Sequence, residues 1–342
     1  MTSTRTMAAM MAVFLLAVSA AVGGEAHGAH QIDLTTPNGR IYSGEPLVLD
    51  VLLHNLSSEP QPYTPLSCLT SSGGQPLLYV QRPGEQSFRR YRAGTYVSIV
   101  YGAQQWLEPR DGRSIQSVLC VEALEEPRPY EGSVDAIPES ILNKLILTGE
   151  PGVYRFKVQY MVLDPGDQGD RLPIESEPLE VQVVDAEGHM GEARSRWMEA
   201  MKLTGGLFFS HGFPASTEYA PRQRQILEDL LGPFRDTVYG RYAQYITALN
   251  QNTFEMAGYA PEGWREYRRQ TLHAFAYDPN FPLADDALFH LAQTIMSDGD
   301  HYGIGDIEEA RRLVREQTAL MDEYIERAPY SIEAVKRRPS LR

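Results

Sequence analysis

Cysteine is nearly absent: the 342 residues hold two, Cys68 and Cys120. That excludes a miniature fold stapled by disulfides, and any metal centre built from cysteine alone. Long apolar runs are scarce. The one at the N-terminus, Ala8 to Val18, has about 11 residues, too few to span a bilayer, and no later segment is apolar enough to cross a membrane. Basic tracts are missing apart from Lys336-Arg-Arg338, and the net charge is −14. Nucleic acid and anionic membrane surfaces both need clustered Lys and Arg, so neither is an expected partner. The eight histidines form no HExxH motif and no i, i+4 pair. Ser210-His211 sits in a Gly- and Pro-flanked loop without the GxSxG setting of a hydrolase nucleophile. No catalytic motif stands out, and no cofactor is implied.

What is present at the N-terminus reads as a secretory signal over residues 1–26. Arg5 supplies the positive start, Ala8 to Val18 the short apolar stretch, and small residues follow, with cleavage placed after Ala20, Gly24 or Ala26. The protein is then exported, to the periplasm or beyond. His27 and His30 lie near the cleavage point and are expected to be disordered. In an oxidising compartment Cys68 and Cys120, both in the same half of the chain, are expected to pair. Such a loop closure stabilises by about 4 kcal/mol in the chain-entropy model. The alternative is two buried reduced thiols.

Residues 30–185 read as all-β. Leu47 to Leu53, Leu77 to Val80, Val97 to Tyr101, Ile115 to Val121, Val153 to Val162 and Leu179 to Val184 are strand candidates. Pro, Gly and Ser turns separate them, and a short helix is placed around Ser140 to Leu147. Alternation is clearest from Val153 to Val162. Tyr154, Phe156, Val158 and Tyr160 share one face, and Val153, Arg155, Lys157 and Gln159 the other. About seven short strands between such turns argue for a β-sandwich.

Four strings carry a resemblance. Gly44-Glu-Pro-Leu-Val-Leu-Asp-Val-Leu-Leu-His-Asn55 is similar to the opening of immunoglobulin-like domains in bacterial exported proteins, where a Gly-Glu turn leads into a strand. Leu107-Glu-Pro-Arg-Asp-Gly-Arg-Ser114, Glu150-Pro-Gly-Val-Tyr-Arg-Phe-Lys157 and Ile174-Glu-Ser-Glu-Pro-Leu-Glu-Val181 resemble later turns and strands of the same domains. Similar strings occur in proteinase-inhibitor-like and macroglobulin-like sandwiches. The resemblance implies an Ig-like β-sandwich and carries no function of its own.

Asp185-Ala-Glu-Gly188 reads as a linker. Beyond it, over residues 190–342, the apolar period changes to about 3.6. Arg194 to Lys202, Gln225 to Phe234, Leu283 to Ile295 and Ile307 to Ile325 are helix candidates. A pattern recurs here. Val238 to Ala243, Pro282 to Ala287 and Pro329 to Ala334 each put a small residue third (Gly240, Ala284, Ser331) and Ala sixth (Ala243, Ala287, Ala334). The spacing of roughly 45 residues suits stacked helix pairs, and the small residues are expected against a neighbouring helix. The string Asp278-Pro-Asn-Phe-Pro-Leu-Ala-Asp-Asp-Ala-Leu-Phe-His-Leu-Ala292, with Asp306-Ile-Glu-Glu-Ala310, resembles tetratricopeptide-like repeats of bacterial envelope proteins. That implies an α-helical, tetratricopeptide-like repeat domain after the sandwich, each domain with its own core.

One string has ligand spacing. Read as a 12-residue calcium loop, Asp298 to Glu309 puts Asp298, Asp300, Asp306 and Glu309 at positions 1, 3, 9 and 12, with Gly303 at position 6. Tyr302 at position 5 departs from that pattern. The plain reading is a turn whose acids complement the next helix. Asp164 to Asp170 is also acidic and reads as a solvated hairpin turn. Trp264, Tyr267 and Phe275 read as core, and His273 and His290 as helix residues. The sequence points to an exported, non-catalytic binding or scaffold protein of the cell envelope, acting through protein contacts of its helices. The alternatives are a hydrolase with its site between the domains and a proteinase inhibitor using sandwich loops.

Overall fold

The computed structural model describes residues 30–63, 77–91, 105–107, 113–120, 147–163, 171–204, 208, 212–213, 219–258, 261–300 and 307–328. The chain is mixed, with its described strands first and its long helices after them. The strands are β1 (His30–Thr35), β2 (Arg40–Tyr42), β3 (Leu47–Asn55), β4 (Gln61–Tyr63), β5 (Leu77–Gln81), β6 (Arg89–Arg90), β7 (Gln105–Leu107), β8 (Arg113–Cys120), β9 (Gly152–Leu163), β10 (Arg171–Glu175) and β11 (Leu179–Val184). The helices are α1 (Gly188–Leu203), α2 (Ala220–Leu231), α3 (Val238–Leu249), α4 (Gln251–Met256), α5 (Pro261–Ala276), α6 (Ala284–Asp300) and α7 (Ile307–Arg327).

One sheet has the order β1-β3-β8, and a larger one the order β2-β11-β9-β5-β6 with β10 also on β9. The alternation of β9 explains the layers. Tyr154, Phe156, Val158 and Tyr160 are buried in one core with Leu47, Leu49, Val51 and Leu53 of β3, so the two sheets share an apolar interior. Strands β10 and β11 lie along the same strand β9, antiparallel, and break at Ser176. The break is satisfied locally. Ser176 N–H donates to the Val158 carbonyl at 2.9 Å. Ser176 Oγ accepts from Val158 N–H at 3.0 Å, a side chain standing in for a ladder bond. The string Ile174 to Val181 therefore spans the end of β10, the break and the start of β11, and β11 covers the strand expected at Leu179 to Val184. His30 is not disordered either: it opens β1 opposite Asn55 and is buried. The strand expected at Val97 to Tyr101 lies outside the described residues, as do residues 140–146 of the helix placed at Ser140 to Leu147.

Only three residues, Asp185 to Glu187, separate β11 from α1, which takes in Gly188 from the expected linker. The helices pack largely in sequence order: α1 on α2, α2 on α3, α3 on α5, α5 on α6 and α6 on α7. Helix α2 stops at Leu231, three residues before the end expected for it, because Gly232 begins a turn. Helix α3 starts at an N-cap, Thr237, whose Oγ1 accepts from Gly240 N–H at 3.1 Å. Gly240 is buried, but its small size serves the preceding turn. A Cβ there would strike the Phe234 carbonyl, not a neighbouring helix. Ala243 and Ala287 are fully buried in the helical core, while Ala284 is half-buried. Ser331 and Ala334 lie outside the described residues.

The buried apolar residues fall into two clusters, one among the helices and one among the sheets, as expected for a core in each half. The helical core also takes Val48 of β3, with Tyr42 packed against it. Residues 43–49 are all buried, because Leu47 and Leu49 turn to the sheets while Val48 turns to the helices. Ala287→Leu should overpack the helical core at a cost of roughly 1–3 kcal/mol. Hydrogen exchange should quicken across α3 to α7 and at Tyr42 to Val48, with Tyr154 to Tyr160 holding. Unchanged exchange everywhere would mean that Ala287 has room around it.

Candidate functional site

The corner between β2 and β3 is the point where the two halves meet. Glu45 N–H donates back to the Tyr42 carbonyl at 3.0 Å, closing a tight turn with Gly44 at φ 81°. That left-handed angle favours glycine, and a Cβ on Gly44 would also press Met198 Sδ at 3.1 Å. A strand end and a turn hold the corner from below: Ser43 N–H donates to Val184 O of β11 and Gly44 N–H to Thr148 O, each at 2.8 Å.

The helices hold its carbonyls from above. Trp197 Nε1 of α1 donates to Gly44 O at 3.0 Å. Tyr239 OH of α3 donates to Ser43 O at 2.7 Å, and Arg194 Nε donates to the same oxygen at 3.0 Å. A second Arg194 nitrogen, Nη2, reaches Gly149 O at 3.1 Å. Tyr242 OH donates to Pro46 O at 3.4 Å. Trp197 is fully buried and packs edge-on to Phe208, with ring centroids 5.5 Å apart. A buried carbonyl without a donor costs roughly 1–3 kcal/mol, so this set of donors fixes the corner in one place.

Beside the corner opens a cleft of about 210 Å³. Its β wall is Asn38, Arg40, Tyr42 and Glu45, and its helical wall includes Arg241, Tyr242, Asn280 and Phe281. On β2, Ile41 points into the core among the sheets, so the alternation turns Arg40 and Tyr42 to the other face. The helical wall is pinned by aromatics. Phe281 stacks on Phe275 at 4.2 Å and lies 5.4 Å from Tyr245. Asn280 N–H donates to Asp278 Oδ1 at 2.8 Å, which shapes the turn after α5.

The charges of the cleft are unequal. Arg241 forms an ion pair with Asp278, and its guanidinium lies over Phe281 and Phe275. Arg40 is exposed and, among the described residues, makes no ion pair. Glu45 is only 5% exposed, and its Oε2 accepts from Tyr42 N–H at 2.8 Å. Burial pushes its carboxyl up from 4.5 to about 7, against the Tyr42 hydrogen bond and the Arg241 charge, which both pull it down. Tyr239 and Tyr242 are raised above the ordinary tyrosine value, again mainly by burial. Tyr245 is raised as well, by burial and by its bond to Asp286.

The residues singled out by spacing lie elsewhere. Asp298 and Asp300 fall within the last turn of α6, Glu309 in the first turn of α7, and Asp306 outside the described residues. Among the described residues no group of three or more His, Cys, Asp or Glu is placed to hold a metal ion. Cys120 ends β8, while Cys68, Ser210-His211 and Asp164 to Asp170 lie outside the described residues, as do residues 1–29. His290 Nε2 is 3.6 Å from Asp286, and the His273 ring is 4.8 Å from that of Tyr277. Phe275 is buried, and Trp264 and Tyr267 are half-buried around Phe254. Among the described residues no helix is long and apolar enough to cross a membrane.

The junction residues Arg194, Trp197, Tyr239, Arg241 and Tyr242 escape the search for motifs. Their one signal is Tyr239-x-x-Tyr242-x-x-Tyr245, which puts three hydroxyls along one side of a helix. No family model matches the chain, and no curated protein matches it. Several solved structures align, two of them as follows. A β-glucosidase from Listeria innocua in complex with isofagomine aligns over 47% of this chain and 17% of its own, at 12% identity and a TM-score of 0.23. The native conformation of E. coli α2-macroglobulin aligns over 86% of this chain and 22% of its own, at 12% identity and a TM-score of 0.24. The chain therefore spans less than a quarter of either protein, and a likeness this faint assigns neither fold nor function.

Proposed function

We propose that this chain is an exported, non-catalytic binding or scaffold protein of the cell envelope. Its β half is an Ig-like, macroglobulin-like sandwich, and its helical half a tetratricopeptide-like array whose outer faces meet a protein partner. The observation that carries this reading is the junction. Trp197, Tyr239 and Arg194 bind the carbonyls of Ser43 and Gly44, so the halves present one preformed surface and cleft. Preformed surfaces favour recognition because little is left to order on binding. Sheets that share one core and helices that pack in series agree with the two proposed halves.

One observation favours a second reading, a hydrolase at the junction. Glu45 lines the cleft with its carboxyl raised to about 7, a value suited to proton transfer. Co-purification of the full chain from envelope extract separates the two. A binding protein is expected to return its partner unchanged in mass after long incubation. Cleaved or otherwise altered partner would decide for the hydrolase.

Export carries its own checks. N-terminal sequencing of the natural protein should begin between Ala21 and Gln31, and an intact Met1 would refute cleavage. Thiol titration of unfolded, unreduced protein should find essentially no free thiol if Cys68 pairs with Cys120. Two reactive thiols would end that proposal.

A further inference from the structure

We propose that the cleft at the junction binds a small carboxylate, with the Arg40 guanidinium taking the acid group and the Asn38 and Asn280 side chains taking hydroxyl or amide groups beside it. The inference rests on the reading of the chain as a binding protein and names the kind of ligand that its cleft accepts.

Charge is the first argument. The chain carries a net charge of −14, yet this cleft brings together two arginines. Asp278 neutralises Arg241, and the Arg40 charge is unanswered among the described residues. A planar guanidinium fork matches a carboxylate with two parallel hydrogen bonds. Size is the second argument. About 210 Å³ lies below the usual range for drug-sized ligands, roughly 300–1,000 Å³. The space suits a group like one amino acid residue or one acidic sugar. Polar capacity is the third. Among the described residues, the side-chain amides of Asn38 and Asn280 make no hydrogen bond, so each offers both a donor and an acceptor.

Glu45 adds a dependence on pH. While protonated, its carboxyl is neutral toward the ligand and has a proton to donate; once ionised, it repels an anion. Around it stand the Tyr42 N–H, Arg241, Tyr242 and Tyr239, with Arg194 behind Tyr239. The arginines are permanent charges. Burial keeps Tyr239 and Tyr242 protonated at neutral pH. Glu45 is therefore the group of this set that changes charge between pH 6 and pH 8, and affinity should fall about tenfold over that interval.

Isothermal titration of the full chain tests the proposal. The probes are glucuronate and N-acetyl-L-alanine, with glucose and N-acetyl-L-alaninamide as uncharged counterparts and inorganic phosphate as a rival anion. At pH 6 one of the acids is expected to bind and its counterpart not; which acid binds tells a sugar acid from a chain terminus. Arg40→Gln should weaken binding at least tenfold, and Arg40→Lys, which keeps the charge and loses the fork, should fall between. Arg40 is exposed, and circular dichroism of each variant checks that the fold is kept. Glu45→Gln should flatten the pH dependence. Failure of both acids at millimolar concentration overturns the inference, as does equal binding by Arg40→Gln or tighter binding of phosphate. In that case the binding-protein reading still stands. A probe that binds and is returned chemically altered by NMR confirms the site and sinks the binding-protein reading instead.

Discussion

Trp197→Ala is expected to cost about 3–5 kcal/mol and to loosen both halves of the chain together. The indole is fully buried, with Phe208, Tyr239 and Tyr242 around it at centroid distances of 5.5, 6.2 and 6.3 Å. Truncation leaves a cavity among these rings, since a close-packed interior collapses only in part. It also removes the Nε1 donor from the buried Gly44 carbonyl. Gly44 belongs to the corner that leads into β3, and β3 contributes Leu47, Leu49, Val51 and Leu53 to the core among the sheets. Strain at the corner therefore reaches the sheets as well as the helices. Denaturant unfolding gives the loss of stability, and hydrogen exchange gives its spread. Faster exchange should appear in α1 and α3 and also along β3. Exchange that quickens in the helices alone would show that the corner is a surface contact and not a shared piece of core. Trp197→Phe helps to separate the two causes, because it removes the hydrogen bond while keeping much more of the ring packing than Ala does.

Strands and helices were legible where one period dominates. Val153 to Val162 alternates because one face of β9 meets β3 and the other carries Arg155, Lys157 and Gln159. The stretch from Ile307 to Ile325 reads as helical because its apolar residues recur on one stripe, and α7 covers all of it. The break in β10–β11 was not legible. A serine side chain replaces a backbone bond there, and alternation has no signal for that. The role of Gly240 differs from the expectation for a related reason. Smallness marks a close approach and does not say what approaches. The cleft was the least legible feature. Glu45 and Arg241 lie 196 positions apart, and each looks ordinary in its own stretch. Gly44-Glu45 reports a turn, and only the fold reveals that this turn is buried under α1 and α3. Trp197 and Tyr239 look like core residues, which they are; their polar ends do the joining.

Glu45→Gln should reshape the pH dependence of stability without rearranging the corner. The folded carboxyl is raised from 4.5 to about 7, mainly by burial. Between those values the unfolded chain releases a proton that the folded chain keeps, so the folded state binds more protons and its stability falls as pH rises. Glu45 imposes no penalty below about pH 4.5, and above about pH 7 it costs the folded state about 3 kcal/mol. Gln retains an oxygen for the Tyr42 N–H and has no proton to lose. Urea unfolding of both proteins at pH 5 and pH 8 isolates the effect, because every other group titrates alike in the two. The variant should gain on the natural protein by about 2–3 kcal/mol on going from pH 5 to pH 8. An equal difference at both pH values would mean that water reaches the carboxyl. A shift in the other direction would mean that the attraction of Arg241 outweighs burial, and that Glu45 enters neutral solution as an anion. The cleft would then hold balanced charge, and Arg40 alone would have to draw an acid to it.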